Sequence, residues 1–352
     1  MTDVWVLGNG QLGAMLLHAG KPLGINVHPL DVDAPLAALP ANAIITAERE
    51  HWPATETTHQ LFGHPGFVGH RAFSELPDRK TQKSWLDQLE LATARWLDLD
   101  DSVSGDTLHQ TLGDRVLLKR RTGGYDGKGQ FWLQQDDTAI PDDWRGQAIA
   151  EEAVDFSDEA SIIGVRNAAG ECEFYPLTLK LHVGGILLAS VAPVARLQAL
   201  QGQAEIMLGK LMTALDYVGV MAMECFVVDG RLVVNEIAPR VHNSGHWTQA
   251  GSSISQFELH LRAITGLPLA RPITKNVSVM LNLIGVERDD RWLSVSGAEL
   301  YWYGKEVLPG RKVGHINLSL ANSTALHNAL KLLQSLLPPQ YNAAIEWILA
   351  AC

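Results

Sequence analysis

Arg120-Arg121-Thr122-Gly123-Gly124-Tyr125-Asp126-Gly127-Lys128-Gly129-Gln130 carries four glycines in the seven positions from Gly123 to Gly129, with cations on both flanks. The run before it, Val116-Leu117-Leu118-Lys119, and the run after it, Phe131-Trp132-Leu133, are apolar and β-prone. The glycines therefore belong to a hairpin tip. Backbone without Cβ atoms lets successive N–H groups close on phosphate oxygens, while Lys119 and Lys128 add point charges. An ordinary flexible hairpin would show the same glycines. The cluster of Lys119, Arg120, Arg121 and Lys128 favours a polyphosphate-binding loop.

Outward from this loop the chain changes character on each side. The first ninety residues alternate short apolar runs (Val4 to Leu7, Ile25 to Val27, Ile44 to Thr46, Phe67 to Val68) with helical patterns at Gln11 to Leu23 and Asp78 to Leu89. That is a βαβ beginning. Residues 91–154 read as strands and turns around the glycine loop, as a small mobile lid would. Beyond them strands dominate: Glu159 to Val165, Cys172 to Thr178, Val218 to Val228 and Arg231 to Ile237, with a helix near Arg196 to Leu215. The expectation is an α/β protein in three parts, residues 1–90, 91–154 and 155–352.

Gly8-Asn9-Gly10-Gln11-Leu12-Gly13 matches GxGxxG between a strand and a helix, with Asp31 past the second strand. A dinucleotide fold would use these residues, but it leaves the second glycine loop unexplained. A helix N-terminus open to the phosphate of a substrate is the alternative. Glu224 and Glu236 each lie in an otherwise apolar strand on either side of the Asp229-Gly230 turn. Pairing about that turn brings the two acids together, where a hard divalent cation between them would offset their repulsion, with Asn235 as a further oxygen donor. The loop Ala238-Pro239-Arg240-Val241-His242-Asn243-Ser244-Gly245-His246-Trp247-Thr248 is dense in polar donors and lacks any period. Its His242 and His246 have the spacing of a zinc pair without the accompanying glutamate, so substrate contact or loop bracing fits better. Lys305 and the turn Pro309-Gly310-Arg311-Lys312 either bind a phosphate or are simply solvated.

Composition narrows the classes. With 46% hydrophobic and 19% charged residues, the 352-residue chain reads as soluble and globular. Val183 to Ala195 is too short and glycine-interrupted to span a bilayer, and the N-terminus lacks the features of a signal peptide. Cys172, Cys225 and Cys352 show no paired or metal-ligand spacing. A cytoplasmic location is expected, with no membrane partner. The net charge of −11 without a basic tract argues against a nucleic-acid partner.

LGNGQLG at 7–13, RRTGGYDGKGQ at 120–130, NEIAPRVHNSGHWT at 235–248 and YGKEVLPGRKVGH at 303–315 occur together and in this order. In these motifs the chain resembles the ATP-grasp superfamily and, within it, the 5-(carboxyamino)imidazole ribonucleotide synthetases, ATP-dependent carboxylases of purine biosynthesis. The resemblance implies an ATP-grasp fold: an N-terminal βαβ domain, a lid and a C-terminal mixed-sheet domain, assembled as a homodimer. It implies that Arg79, Lys119, and Gly124, Tyr125, Asp126, Gly127, Lys128, Gly129 and Gln130 hold the ATP phosphates. Glu151, Glu152, Ala153 and Val154 would lie at adenine, Glu159 at the ribose, and His182 near the phosphates. Glu224 and Glu236 would ligate Mg2+, two ions with Mn2+ as a possible substitute, and Asn235 would stand beside them. Gly8, Gly10, Gln11, Leu12, Tyr125, Asp126, Arg240, His242, Lys305, Arg311 and Lys312 would receive aminoimidazole ribonucleotide, with Arg240, Lys128 and Asp126 catalytic. The reaction implied is ATP-driven formation of carboxyphosphate from bicarbonate, followed by carboxylation of the exocyclic amine. Two departures stand out. Ala14 replaces a frequent Arg, and Leu179-Lys180 replaces a frequent Glu-Asn pair upstream of His182.

Overall fold

The computed structural model describes residues 2–124, 127–135 and 137–352. Strands β1 (Thr2–Leu7), β2 (Ile25–Leu30) and β3 (Ile44–Ala47) form a parallel three-stranded sheet in the order β2-β1-β3. Helix α1 (Gln11–Gly20) follows β1 and buries Leu12, Met15 and Leu16, whose spacing places them on one face. The Phe67-Val68 run does not become a strand. It makes a single bridge from Phe67 to Ile45, because Gly66 and the left-handed Gly69 end the extended backbone on both sides. Helices α2 (Glu56–Phe62), α3 (His70–Glu75) and α4 (Arg79–Gln88) lead out of this layer. α4 starts where Asp78 accepts hydrogen bonds from the N–H groups of Lys80 and Thr81.

The second layer is an antiparallel sheet of β4 (Trp96–Asp98), β5 (Val116–Arg120), β6 (Gln130–Leu133) and β7 (Ala148–Glu152), ordered β4-β7-β5-β6. With α5 (Gly105–Leu112) it closes its own core of Leu99, Leu108, Leu112, Val116, Leu118, Leu133, Ala148 and Ala150. β5 and β6 pair from Val116↔Leu133 to Lys119↔Gln130, so the glycine loop projects from a hairpin end.

The third layer holds nine strands: β8 (Asp158–Arg166), β9 (Cys172–Phe174), β10 (Thr178–Val183), β11 (Ile186–Ala192), β12 (Gly219–Val228), β13 (Arg231–Ala238), β14 (Ser278–Ile284), β15 (Ala298–Trp302) and β16 (Lys312–Ser319). The order is β13-β12-β8-β10-β11-β14-β16-β15, with β9 beside β8. The expected mixed sheet is corrected here: every ladder between these strands is antiparallel, and the only parallel pairing that the described residues add is a lone bridge from Thr93 to Val234. Tight connections such as Gly184-Gly185 and Asp229-Gly230 admit no other direction. The run Cys172 to Thr178 divides into β9 and the start of β10, broken at Tyr175-Pro176-Leu177. The helix expected from Arg196 opens as a 3-10 turn and becomes α6 (Gln201–Ala214). Helices α7 (Thr248–Gly251), α8 (Gln256–Thr265), α9 (Ser323–Leu336) and α10 (Asn342–Ala351) complete the layer.

The first and third layers share their interior. Leu7, Ile45 and Phe73 pack in one cluster with Ile162, Leu208 and Met223, while Val4, Leu16 and Val27 pack in another with Ile163, Phe257 and Leu261. The lid core stands apart. A cleft therefore opens between one fused body and a separately packed lid. No helix among the described residues is long and apolar enough to cross a membrane.

Candidate active site

A cleft of about 650 Å3 lies between the ends of the parallel strands, the lid hairpin and the β8–β10–β12–β13 floor. From the lid come Lys119, Gly124, Gly127, Lys128 and Gln130, and from the floor Glu159, His182, Glu224, Asn235 and Glu236. Arg79, Gln11, Leu12, Arg240, His242 and Lys312 complete the wall. Tyr125 and Asp126 lie outside the described residues.

The carboxylate pair owes its geometry to a bulge. Asp229 and Gly230, both with positive φ, make a two-residue turn, and β12 and β13 pair from Val228↔Arg231 to Cys225↔Val234. Continued without interruption, this register would set Glu224 opposite Asn235. Instead one residue is inserted and Glu224 pairs with Glu236. The insertion also lets Asn235 and Glu236, neighbours in a strand, both line the cleft. Glu236 is the more open acid, with 43% of its side chain exposed and Arg79 Nη2 at 3.4 Å. Glu224 is 14% exposed, with Lys180 Nζ at 2.8 Å and His242 Nε2 at 3.7 Å. Burial raises the Glu224 carboxyl, but Lys180 overrides it and holds the group well below the usual carboxylate range. His242 is pushed down to about 3 by burial, against the pull of Glu224, and is neutral at neutral pH.

Lys119 is held in place rather than merely present. Its Nζ donates to Glu151 Oε2 at 2.8 Å and to Asn235 Oδ1 at 3.1 Å. Lys83 Nζ reaches the other Glu151 oxygen at 3.1 Å. Burial raises the Glu151 carboxyl while Lys119 and Lys83 bring it down to about 2. Two ammonium groups on one carboxylate leave one positive charge over, and Lys119 is the lysine at the cleft. Asn235 thus braces Lys119 through its Oδ1. Glu159 Oε2 lies 2.6 Å from His182 Nδ1, off the hydrogen-bonding direction. Gly127, at φ +76, runs against the Gly184-Gly185 turn, where a Cβ would stand 3.1 Å from Gly185 Cα.

Several expected residues are elsewhere. Glu151, Glu152, Ala153 and Val154 do not line the cleft: Glu152 binds Arg95, and the Ala153 N–H donates to Arg115. Gly129 does not line it either. At the N-terminal fingerprint, the Glu48 carboxylate accepts from the N–H groups of Gly10 at 2.6 Å and Gly13 at 2.8 Å. A Cβ on Gly8 would come within 2.4 Å of Glu48. Gly8 and Gly10 therefore make room for an internal carboxylate at the helix terminus, the position a substrate phosphate or a pyrophosphate would need. Lys305 binds Gln11 Oε1 just outside the cleft, and Arg311 turns to the carbonyl of Glu306 at 3.4 Å.

Sequence reasoning missed Glu48, Glu50 and His51, and met Lys180 only as a departure from the family pattern, with no role assigned. Glu50 Oε1 lies 2.9 Å from Arg240 Nε, and the Gly123 N–H donates to His51 Nε2 at 3.3 Å. The available signal was position: Glu48-Arg49-Glu50-His51 follows the C-terminal end of a parallel strand, where open sheets place their ligands. Trp132, Phe156 and Phe226 give the cleft an aromatic side, with Phe156 and Phe226 stacked 4.5 Å apart.

A lid hairpin with a cationic glycine loop, facing an antiparallel floor that carries paired carboxylates, defines an ATP-grasp protein. The ATP-grasp domain family matches residues 84–257, and the phosphoribosylaminoimidazole carboxylase C-terminal domain matches residues 278–329. The N5-carboxyaminoimidazole ribonucleotide synthase of Haemophilus influenzae is 53% identical over 98% of this chain and 96% of its own length. That of Escherichia coli is 51% identical over 99% and 98%. Among solved structures, the synthetase of Thermus thermophilus superposes with a TM-score of 0.84 at 37% identity, covering 95% of this chain and 98% of that one. The Aspergillus clavatus synthase, in complex with ADP and 5-aminoimidazole ribonucleotide, gives 0.80 at 27%, covering 95% and 99%. The chain belongs to the N5-carboxyaminoimidazole ribonucleotide synthase family.

Proposed function

We propose that this chain uses ATP and bicarbonate to carboxylate the exocyclic amine of 5-aminoimidazole ribonucleotide, releasing ADP and phosphate. The observation that carries the reading is the register-paired Glu224 and Glu236, lining one cleft together with Lys119, Arg79 and Arg240. A bicarbonate oxygen attacks the γ-phosphorus and ADP leaves, giving carboxyphosphate. The substrate amine then attacks its carbonyl carbon, phosphate leaves, and the amine gives up a proton to that phosphate or to Asp126.

Glu236 and the free oxygen of Glu224 suit a hard cation, since they are directly opposed anionic oxygens on the cleft floor. Mg2+ bound there would offset the charge on the β- and γ-phosphates. Lys119 supplies the surplus charge of the Lys83–Glu151–Lys119 cluster to the same phosphates. Lys128 approaches from the exposed loop. Arg240, anchored by Glu50, presents its remaining N–H donors to bicarbonate or to the carboxyphosphate. The aromatic side takes the adenine, and closure of the lid keeps water from the acyl phosphate. Family resemblance further supports a homodimer working in the cytoplasm.

Bicarbonate labelled with 18O tests the intermediate: one labelled oxygen should appear in each phosphate released. Unlabelled phosphate would refute the carboxyphosphate route.

A further inference from the structure

Lys180 is a cation buried beneath the cleft floor, against Glu224, that neither the glycine loop nor the polar loop accounts for. It sits on β10, in register with Glu159 on β8, and its side chain is 1% exposed. Its Nζ lies 2.8 Å from Glu224 Oε2 and 4.0 Å from Glu159 Oε2. Here a fixed ammonium lies under the carboxylate pair. The floor carries Glu159, Glu224 and Glu236, and Lys180 and Arg79 already meet two of them closely. Glu224 Oε2 already faces the ammonium, so any further cation there meets its charge. A divalent ion drawn to Oε2 would have to displace Lys180 or stand against its positive charge, and both are unfavourable in a poorly solvated site.

We propose that Lys180 is a built-in cation of the phosphate site: its ammonium supplies beside Glu224 the positive charge that a second divalent ion would bring, so the chain loads one divalent ion per bound nucleotide. The inference rests on the reading of Glu224 and Glu236 as metal ligands given above. One permanent charge then does the work of an exchangeable one. Glu236 and Glu224 would hold the remaining ion.

Equilibrium dialysis of the full chain with Mn2+ and the β,γ-imido analogue of ATP gives the ratio of bound Mn2+ to bound nucleotide. The expected ratio is one for the unsubstituted chain and two for Lys180→Asn, with Lys180→Met as a second variant free of any new metal-binding amide. A ratio of two in the unsubstituted chain overturns the proposal, and this result needs no variant to fold. A ratio that stays at one in folded Lys180→Asn and Lys180→Met overturns it as well. Glu236→Gln separates the two levels of the argument: it should weaken Mn2+ binding to the nucleotide complex at least tenfold. Unchanged affinity there would remove the metal reading itself, and the Lys180 proposal with it.

Discussion

Replacing Glu151 with glutamine takes one negative charge out of a pocket where two ammonium groups meet it, Lys83 at 3.1 Å and Lys119 at 2.8 Å. Glu151 is 3% exposed, Lys83 2% and Lys119 4%, so solvent screens little of the interaction. Burial alone would raise the carboxyl, yet the lysines bring it from 4.5 down to about 2. A drop of roughly two to three units is about 3–4 kcal/mol in favour of the charged form. Because the folded-state value is depressed, this stability is fully present above the unfolded value of 4.5 and is lost as pH falls toward 2. At neutral pH Glu151→Gln should therefore cost about 3 kcal/mol, the lower end of the range for an orphaned buried charge. The lower end applies because Lys83 also donates to Thr93 Oγ1 at 2.6 Å, a partner that the substitution leaves in place. Urea denaturation at pH 7.5 measures the loss, and titration calorimetry with an ATP analogue should show weaker binding as Lys119 loses its anchor. Adding Lys83→Met to Glu151→Gln returns the cluster to one positive charge and should recover at least half of the stability. A loss below about 1 kcal/mol, or no recovery in the double variant, would refute the claim that Glu151 positions Lys119.

Glu236→Gln should leave the fold intact and cost at least about a hundredfold in rate, because the amide fills the space without the charge that holds Mg2+; near-normal turnover at saturating Mg2+ would take Glu236 out of the site. His246, His260 and His315 are at most 1% exposed and held neutral, His260 pushed down to about 4 and His315 to about 3 by burial. The unfolded chain binds these protons below its ordinary value of 6.5, so each histidine should cost about 1.4 kcal/mol at pH 5.5, or about 4 kcal/mol together. Melting temperatures that stay flat from pH 7.5 to 5.5 would contradict this. A Cβ on Gly10 would stand 2.8 Å from Glu48 Oε1, so Gly10→Val should loosen two hydrogen bonds to a buried carboxylate and cost about 2–4 kcal/mol in thermal unfolding.

What could be read from residue order alone was mostly local. The glycine hairpin between two β-prone runs follows from composition, and so do β1 to β3 and the Asp229-Gly230 turn, because each is set by neighbours in sequence. The bulge that turns a Glu224–Asn235 pairing into Glu224–Glu236 depends on packing across β8, β12 and β13, and no dipeptide announces it. The all-antiparallel floor was legible only in part: the two-residue Asp229-Gly230 turn forces its own pair antiparallel, whereas the longer connections to β8, β14 and β16 do not announce a direction. Glu48 shows the limit most clearly. GxGxxG reports that something anionic meets a helix terminus, but not that the anion comes from this chain, 35 residues beyond Gly13. Lys180 was visible only as a departure from a family pattern, and its meaning came with the 2.8 Å contact to Glu224.

The central claim is that one cleft joins ATP cleavage to carboxylation of a ribonucleotide amine. ADP release, followed in a coupled assay with each substrate omitted in turn, tests it most directly. The account predicts rapid ADP formation only when ATP, Mg2+, bicarbonate and 5-aminoimidazole ribonucleotide are all present, with one carboxylated product formed per ADP. ADP formation at the same rate without the ribonucleotide, or product formation without ATP, would contradict it.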